Sequence, residues 1–360
     1  MSESGERVSV IIPARDEQDS IERAVRSVAA QNGVREIIVV DDQSADRTPF
    51  ILGELKAKIP KLQAITINSL PEGWLGKANA LATGARLATG DWLLFTDADT
   101  EHRPGSLSAL LERAENEGVD LLSLSPGQRV DKWWEKAVIP LAYVNLARRF
   151  RFEEVSDPKS TVAAANGQYI LIRREIYQHA GGHDAVRAEI LDDVELARRV
   201  KAGGGRILFL PGAAWAETRM YSTFPEMCEG WSKNLYALYG GKLTGVVVAI
   251  ADMLLVDWIP GAAVMFFIVW LLLRLEAGKG IPQSAWYGAA ICLLVFAYAQ
   301  WNYRRAVKQL GYARGTARYF FVGTPIFTWL LLESTRAHLK GRVRWKGRDY
   351  SREALTRGKG

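Results

Sequence analysis

Two strand-like runs that end in carboxylates constrain this chain more than any other feature. Glu36 to Val40 runs into Asp41 and Asp42, and Trp92 to Thr96 runs directly into Asp97, Ala98 and Asp99. Val8 to Pro13 is a third β-branched run, followed by polar Ala14 to Ser20 and then by Ile21, Ala24, Val25 and Val28 at helical spacing. Leu62 to Ile67 reads as a further strand, Lys77 to Ala88 as a helix, and Asp46 to Phe50 as the opening of another. Strands that alternate with helices, and that are apolar along most of their length, predict an α/β fold with a parallel sheet. Ligands gather at the carboxyl ends of the strands in such sheets, and each polar cluster stands at one of those ends.

Asp97 and Asp99 are one residue apart at a strand end, so their side chains point the same way and can share a divalent cation with a diphosphate. Hard oxygen ligands suit Mg2+ or Mn2+; the plainer alternative is a solvated strand end. Asp41 and Asp42 can accept from a uracil N3–H or a ribose hydroxyl, and three strand ends together can surround one nucleotide. For Ser44 and Asp46 the better reading is a helix cap. Gly73 to Lys77 is a flexible loop ahead of a helix, where Lys77 is either a phosphate partner or a solvated lysine. There is no GxGxxG after the first strand and no GxxxxGK[ST] loop, which argues against dinucleotide and triphosphate sites of those kinds.

Asp192 and Asp193 head a helix with inward-facing Val194, Leu196, Ala197 and Val200. They either complement the helix dipole or supply a general base, because adjacent like charges in a half-buried site raise one pKa. His179, His183 and His338 have no metal spacing and read as surface or structural residues; His102 is a candidate extra metal or phosphate contact.

The charge is uneven along the chain. Residues 1–242 carry 30 Lys and Arg against 34 Asp and Glu, and residues 243–360 carry 16 against 6. Uncharged stretches of 16, 24 and 14 residues begin at Trp258, Gly280 and Tyr319. Only the middle one exceeds the ~20 residues that span a bilayer; the first reaches that length if Leu254 to Val256 join it across Asp257, and Gly323, Thr324 and Pro325 interrupt the last as in a re-entrant or interfacial segment. The basic run Arg304–Arg318 and the basic tail favour the cytoplasmic side, so two crossings plus a non-spanning third segment are expected. No secretory signal or N-terminal anchor is expected in polar Met1 to Arg7, and two cysteines, Cys228 and Cys292, suit a reducing compartment.

VSVIIPARDE (8–17), VVDDQSADRT (39–48), GWLGKANAL (73–81), GDWLLFTDADTEHRPGSL (90–107) and ILDDVELARRVKAGGGRI (190–207) resemble the ordered motifs of family 2 glycosyltransferases with a GT-A fold. DPKSTVAAANGQYILIRRE (157–175) and GRVRWKGRDY (341–350) extend the likeness to a membrane-bound bacterial branch that holds hopanoid-associated and carotenoid glycosyltransferases. The resemblance implies an α/β GT-A, Rossmann-like nucleotide-diphospho-sugar transferase domain followed by C-terminal transmembrane or interfacial helices. Donor contacts then fall to Pro13, Ala14, Arg15, Glu17, Asp41, Asp42, Lys77, Asp97, Asp99 and Trp231, the metal to Asp97 and Asp99, and catalysis to Asp193 with Asp192 beside it. The family's QxxRW motif departs here, because alignment on Trp231 puts Met227 at the Gln and Gly230 at the Arg. Lys233, Arg219, Arg344, Lys346 and Arg348 are the cations that can replace that arginine beside a leaving diphosphate.

The expected organisation is a catalytic domain over 1–220, an interfacial helix or linker over 221–242, membrane segments over 243–335 and a basic cytoplasmic tail over 336–360. The expected activity is inverting transfer of a sugar from a nucleotide-sugar donor, a UDP-hexose, to a lipid acceptor at the cytoplasmic face of the inner membrane, with no nucleic-acid partner. The competing readings are a processive polysaccharide synthase and a non-catalytic membrane-bound sensor or scaffold that keeps the nucleotide fold.

Overall fold

The computed structural model describes residues 7–350, apart from the side chains of Val256, Asp257 and Asp349. The chain divides into two compact units: residues 1–129, 147–222 and 341–360 form one, and residues 130–146 and 223–340 form the other. Both boundaries are interleaved. A helical segment in the first half of the chain goes to the second unit, and the C-terminal segment from Gly341 returns to the first.

The first unit runs β1 (Val8–Ala14), α1 (Ile21–Ala29), β2 (Val34–Asp41), α2 (Thr48–Lys56), β3 (Leu62–Thr66), α3 (Gly76–Leu87), β4 (Trp92–Phe95), β5 (Thr100–His102), α4 (Ser106–Asn116), β6 (Leu121–Ser125) and β7 (Gly127–Gln128). After α5 (Trp133–Arg149), which leads into the second unit and back, come α6 (Phe152–Ser156), β8 (Ile170–Arg173), α7 (Arg174–His179), α8 (Asp192–Ala202), β9 (Ile207–Pro211) and β10 (Ala216–Thr218).

The central sheet has the order β3-β2-β1-β4-β8-β6-β9. Its pairs are parallel except where β8 runs antiparallel between β4 and β6, so the sheet is mixed rather than wholly parallel. β1 is a continuous apolar run because both of its faces are covered. Val10 and Ile12 pack with Ile21, Val25 and Val28 of α1 on one side, and Ile11 packs with Ala80 and Leu81 of α3 on the other. Full burial of each such aliphatic side chain contributes about 1.5–3 kcal/mol. The carboxyl ends of β1, β2 and β4 lie side by side, since Ala14 pairs with Asp41 and Ile11 with Phe95.

The second unit is helical: the first part of α5, then α9 (Phe224–Leu238), α10 (Leu243–Asp252), a π-helical turn (Met253–Trp258), α11 (Ile259–Glu276), α12 (Gln283–Gln309), a 3-10 segment (Arg314–Tyr319) and α13 (Phe320–Leu339). One stretch among the described residues is long and apolar enough to cross a membrane, Leu243–Glu276, with 12% of its most apolar window buried. Of the two expected crossings, only the one around Trp258–Leu273 falls in a stretch of this kind among the described residues, and Gly280–Tyr303 does not. That run enters α12 with Trp286, Tyr287, Gln300, Trp301, Asn302 and Tyr303, whose aromatic and amide groups dilute its apolar character. The expected break at Gly323 to Pro325 is also absent. α13 is continuous there, and Thr324 and Thr328 donate their hydroxyls to the carbonyls one turn back, at Phe320 and Thr324. Gly323 has no room for a Cβ, which would strike the carbonyl of Ala137 in α5.

The two-stranded ribbon that closes the described chain, β11 (Arg344–Trp345) and β12 (Arg348–Asp349), belongs to the first unit.

Candidate active site

The loops after β1 and β2 are laced together before any side chain reaches a ligand. The Asp42 N–H donates to the Ala14 carbonyl at 2.8 Å, and Arg15 Nη1 donates to the Asp42 carbonyl at 2.7 Å. Asp16, in the left-handed region at φ 52, accepts from the Ala45 N–H, and its own N–H donates to Ser44 Oγ. Asp46 accepts from Gln18 and Thr48 N–H groups just ahead of α2, whose N-cap position is Arg47, and Ser44 joins the two loops instead of capping the helix as expected. Asp41 is buried and accepts from the Ser44 N–H at 3.2 Å, which makes it a turn residue. Asp42 instead faces Arg348, which donates to both of its carboxylate oxygens, Nη2 to Oδ1 at 2.8 Å.

Lys77 stands in the first turn of α3, after a loop tied down by the Leu75 N–H donating to the Arg187 carbonyl at 2.8 Å. Its ammonium meets Asp97 Oδ1 at 2.6 Å. Burial alone would lower its pKa, but Asp97, Asp192 and Asp193 hold it above the usual lysine range. A Cβ on Gly167 would lie 3.0 Å from Lys77 Nζ and 3.5 Å from Asp193 Oδ2, so lysine and carboxylate face one small space beside this glycine.

Asp193 accepts from the Gly167 N–H at 2.9 Å and from the Val194 N–H at 2.8 Å. Burial and the neighbouring Asp192 push its carboxyl up to about 6, against the pull of Lys77 and the two amides. Asp192 lies 3.9 Å from His183 Nε2. The Val194 amide in the first turn of α8 holds one oxygen of Asp193 and the Gly167 amide holds the other, as a carboxylate at a helix N-terminus does.

Asp99 is pushed up to about 7 by burial and by the charges of Asp97 and Glu17. Three crowded carboxylates with one lysine are a donor set that fits a hard divalent cation. Among the described residues no group of three or more His, Cys, Asp or Glu is arranged to hold a metal by itself. Asp97 and Asp99 would hold it together with oxygens of the ligand.

One expectation is corrected, and for His183 the structural reading of the two expected holds. His102 points into the core: its Nε2 meets Thr96 Oγ1 at 3.1 Å, its ring packs 5.3 Å from that of Tyr169, and burial lowers its pKa to about 4. It is a structural residue rather than a ligand. His183 is buried rather than on the surface, with Nδ1 2.9 Å from the Tyr177 hydroxyl. Burial and Lys77 lower its pKa to about 3, so it is neutral.

Comparison with known proteins follows the same lines. Residues 9–181 match the model of glycosyl transferase family 2. The chain carries a family 2 glycosyltransferase domain. Among curated relatives, 4,4'-diaponeurosporenoate glycosyltransferase of Staphylococcus haemolyticus is 28% identical over 73% of this chain and 69% of its own length. The enzyme of that name from Staphylococcus aureus strain MRSA252 is 25% identical over 96% of this chain and 88% of its own. A solved mannosyltransferase from Pyrobaculum calidifontis, in complex with GDP-Man and Mn2+, superimposes with a TM-score of 0.53 at 19% identity, covering 92% of this chain and 87% of that one. That likeness shows the GT-A fold.

This glycosyltransferase brings the residues of its first unit together in three linked pairs: Arg15 with Asp42, Lys77 with Asp97, and Asp193 with Gly167. Pro13 and Ala14 supply the strand end that carries Arg15. Trp231, expected on the donor, is in the second unit, buried in α9 with its ring 6.3 Å from that of Tyr143. Met227 and Gly230, at the altered positions of the family motif, are buried on the same helix. Sequence reasoning missed Gly167 as the residue that holds the acidic pair. It also left open what the tail's cations meet. The signal for the second was the Lys346-Gly347 pair between Trp345 and Arg348, a two-residue hairpin turn.

Proposed function

We propose that the enzyme transfers a sugar, with inversion, from a nucleotide-sugar donor to an apolar acceptor at a membrane surface. The observation that carries this reading is Lys77 Nζ, paired with Asp97 at 2.6 Å and facing Asp193 across Gly167. The diphosphate side of the reaction and the base thereby share one pocket. Asp42 and Arg15 hold the nucleoside end, and Asp97 and Asp99 the diphosphate end. An acceptor oxygen attacks the anomeric carbon, its proton passes to Asp193, and the bond from that carbon to the diphosphate oxygen breaks, leaving a nucleoside diphosphate. Asp97 and Asp99 would hold Mg2+ or Mn2+, which when bound would supply Lewis-acid neutralisation of the diphosphate.

Two features support a membrane setting and a lipid acceptor. Leu243–Glu276 leaves Val247, Met265, Phe266, Leu272 and Leu273 exposed, and contiguous apolar surface of this kind marks a membrane or partner contact. The relatives' names also specify a carotenoid acid as acceptor. We place the first unit in the cytoplasm, the side favoured by the basic residues of the C-terminal third.

The test is transfer of label from radiolabelled UDP- and GDP-sugars into butanol-extractable lipid by membranes carrying the wild type or Asp193→Asn. The reading expects lipid label in the wild type and at least a hundredfold less in the variant when the acceptor is a hydroxyl. Label that enters polymer or water-soluble product instead would overturn the lipid acceptor.

A further inference from the structure

The ribbon of β11 and β12 carries two cations onto two carboxylates of the site. Arg348 grips both oxygens of Asp42, with 16% and 5% of the two side chains exposed. Lys346 Nζ meets Glu17 Oε1 at 2.5 Å and the Arg15 carbonyl at 2.8 Å, and Arg15 Nε donates back to the Lys346 carbonyl at 3.2 Å. Gly76 adjoins the Arg348–Asp42 pair so closely that a Cβ there would strike both Arg348 Nη1 and Asp42 Oδ2.

Three observations show that side chains rather than backbone hold the ribbon in place. Each strand has two residues, too few for a self-sufficient sheet. The turn places Lys346 at φ 45 and Gly347 at φ 73, a primed turn in which Asn is favoured at the first position and Lys is strained. Besides the two ion pairs and the hydrogen bonds to Arg15, the Trp345 ring stands edge-on to Tyr221 at 6.3 Å and Val343 is buried.

Electrostatics gives these contacts a purpose. Asp42, Glu17, Asp97, Asp99, Asp192 and Asp193 line the site, and Lys77 is already paired with Asp97. Lys77 and a divalent cation on Asp97 and Asp99 would offset only part of the charge of six carboxylates, so further cations favour entry of a diphosphate, and a nucleoside cannot reach Asp42 while Arg348 covers it. We propose that Arg348 and Lys346 are diphosphate ligands carried on a movable strap. Arg348 and Lys346 pair with Asp42 and Glu17 in this structure, and they transfer to the diphosphate oxygens when the nucleoside takes Asp42. This rests on the glycosyl-transfer reading and adds two donor ligands to it.

The experiment uses the full chain in detergent micelles and measures binding of UDP and GDP, and of uridine and guanosine, to the wild type, Arg348→Ala and Lys346→Asn. Taking whichever diphosphate binds the wild type more tightly, Arg348→Ala weakens it at least tenfold while the matching nucleoside binds as well as before or better. Lys346→Asn, which suits the left-handed turn and keeps the hairpin, weakens the diphosphate at least threefold and leaves the nucleoside unchanged. Hydrogen exchange over residues 343–350 changes when the diphosphate is added. Tighter binding of both ligands to Arg348→Ala would make Arg348 a plug and overturn the proposal, as would equal binding by all three proteins. If the wild type binds neither diphosphate, the glycosyl-transfer reading falls as well; if it binds one and the variants match it, the strap alone falls.

Discussion

Lys77 donates to Asp97 at 2.6 Å from the first turn of α3, and the same ammonium lowers the pKa of Asp193. One cation thus serves the carboxylates of both β4 and α8. Replacing it removes compensation from both at once. Lys77→Ala is expected to weaken nucleoside diphosphate binding at least tenfold and to move the acid limb of the pH–rate profile upward, because loss of a nearby positive charge raises the Asp193 pKa. Titration of kcat/KM against pH in the two proteins checks the direction of the shift.

The wild-type profile is itself informative. With a hydroxyl acceptor, activity should fall below about pH 6 as Asp193, pushed up by burial and Asp192, takes a proton and stops acting as a base. A carboxylate acceptor arrives already deprotonated, so the same enzyme should lose that limb and Asp193→Asn should be impaired less than tenfold. An acid limb of equal size with both acceptors would remove Asp193 from the base role.

Gly167→Ala places a methyl 3.0 Å from Lys77 Nζ and 3.5 Å from Asp193 Oδ2. The lysine terminus can give way, so thermal stability should stay within about 1 kcal/mol of wild type. Activity should drop about tenfold, equivalent to about 1.4 kcal/mol of barrier, and steady-state kinetics beside a thermal melt separates the two effects.

Glu36 lies away from the site and reports on the fold. Burial raises its pKa, but donors from Ser9 Oγ, Thr89 Oγ1 and the Thr89 N–H outweigh it, and the folded value falls below 4.5. Its contribution to stability is therefore complete above pH 4.5 and is lost as the pH drops through the lower folded value. Glu36→Gln should melt several degrees below wild type at pH 7, with the gap narrowing toward pH 3 in calorimetry.

Cysteines placed at Asp19 and Arg342, both exposed, should be labelled by an impermeant reagent from the same face of sealed vesicles. Labelling from opposite faces would contradict the assignment of the C-terminal ribbon to the first unit.

The alternation of Val8–Pro13, Glu36–Val40 and Trp92–Thr96 with amphipathic helices was enough to predict the α/β layers, because a strand covered on both faces must be continuously apolar. The acidic clusters marked the ligand end of the sheet for the same topological reason. Ile170–Arg173, a four-residue antiparallel strand, was not legible, since its direction is set by neighbours far away in the chain. A histidine three residues past Asp99 looks like part of an acidic cluster, and only burial against Tyr169 shows that His102 is core. The membrane stretches were read by counting uncharged residues, a measure that treats Trp, Tyr, Gln and Asn as if they were leucine.

The partners in the Arg348–Asp42 pair are 306 positions apart, and the helical unit lies between them in the chain. A contact of that span forms late, after the loops it closes have been ordered. During synthesis the sheet and its acidic ends can assemble while Arg348 has yet to leave the ribosome, and residues 223–340 must find their own environment before the last strand comes home. The donor site of a half-made chain therefore lacks the two cations of the strap until the helical segment has been delivered.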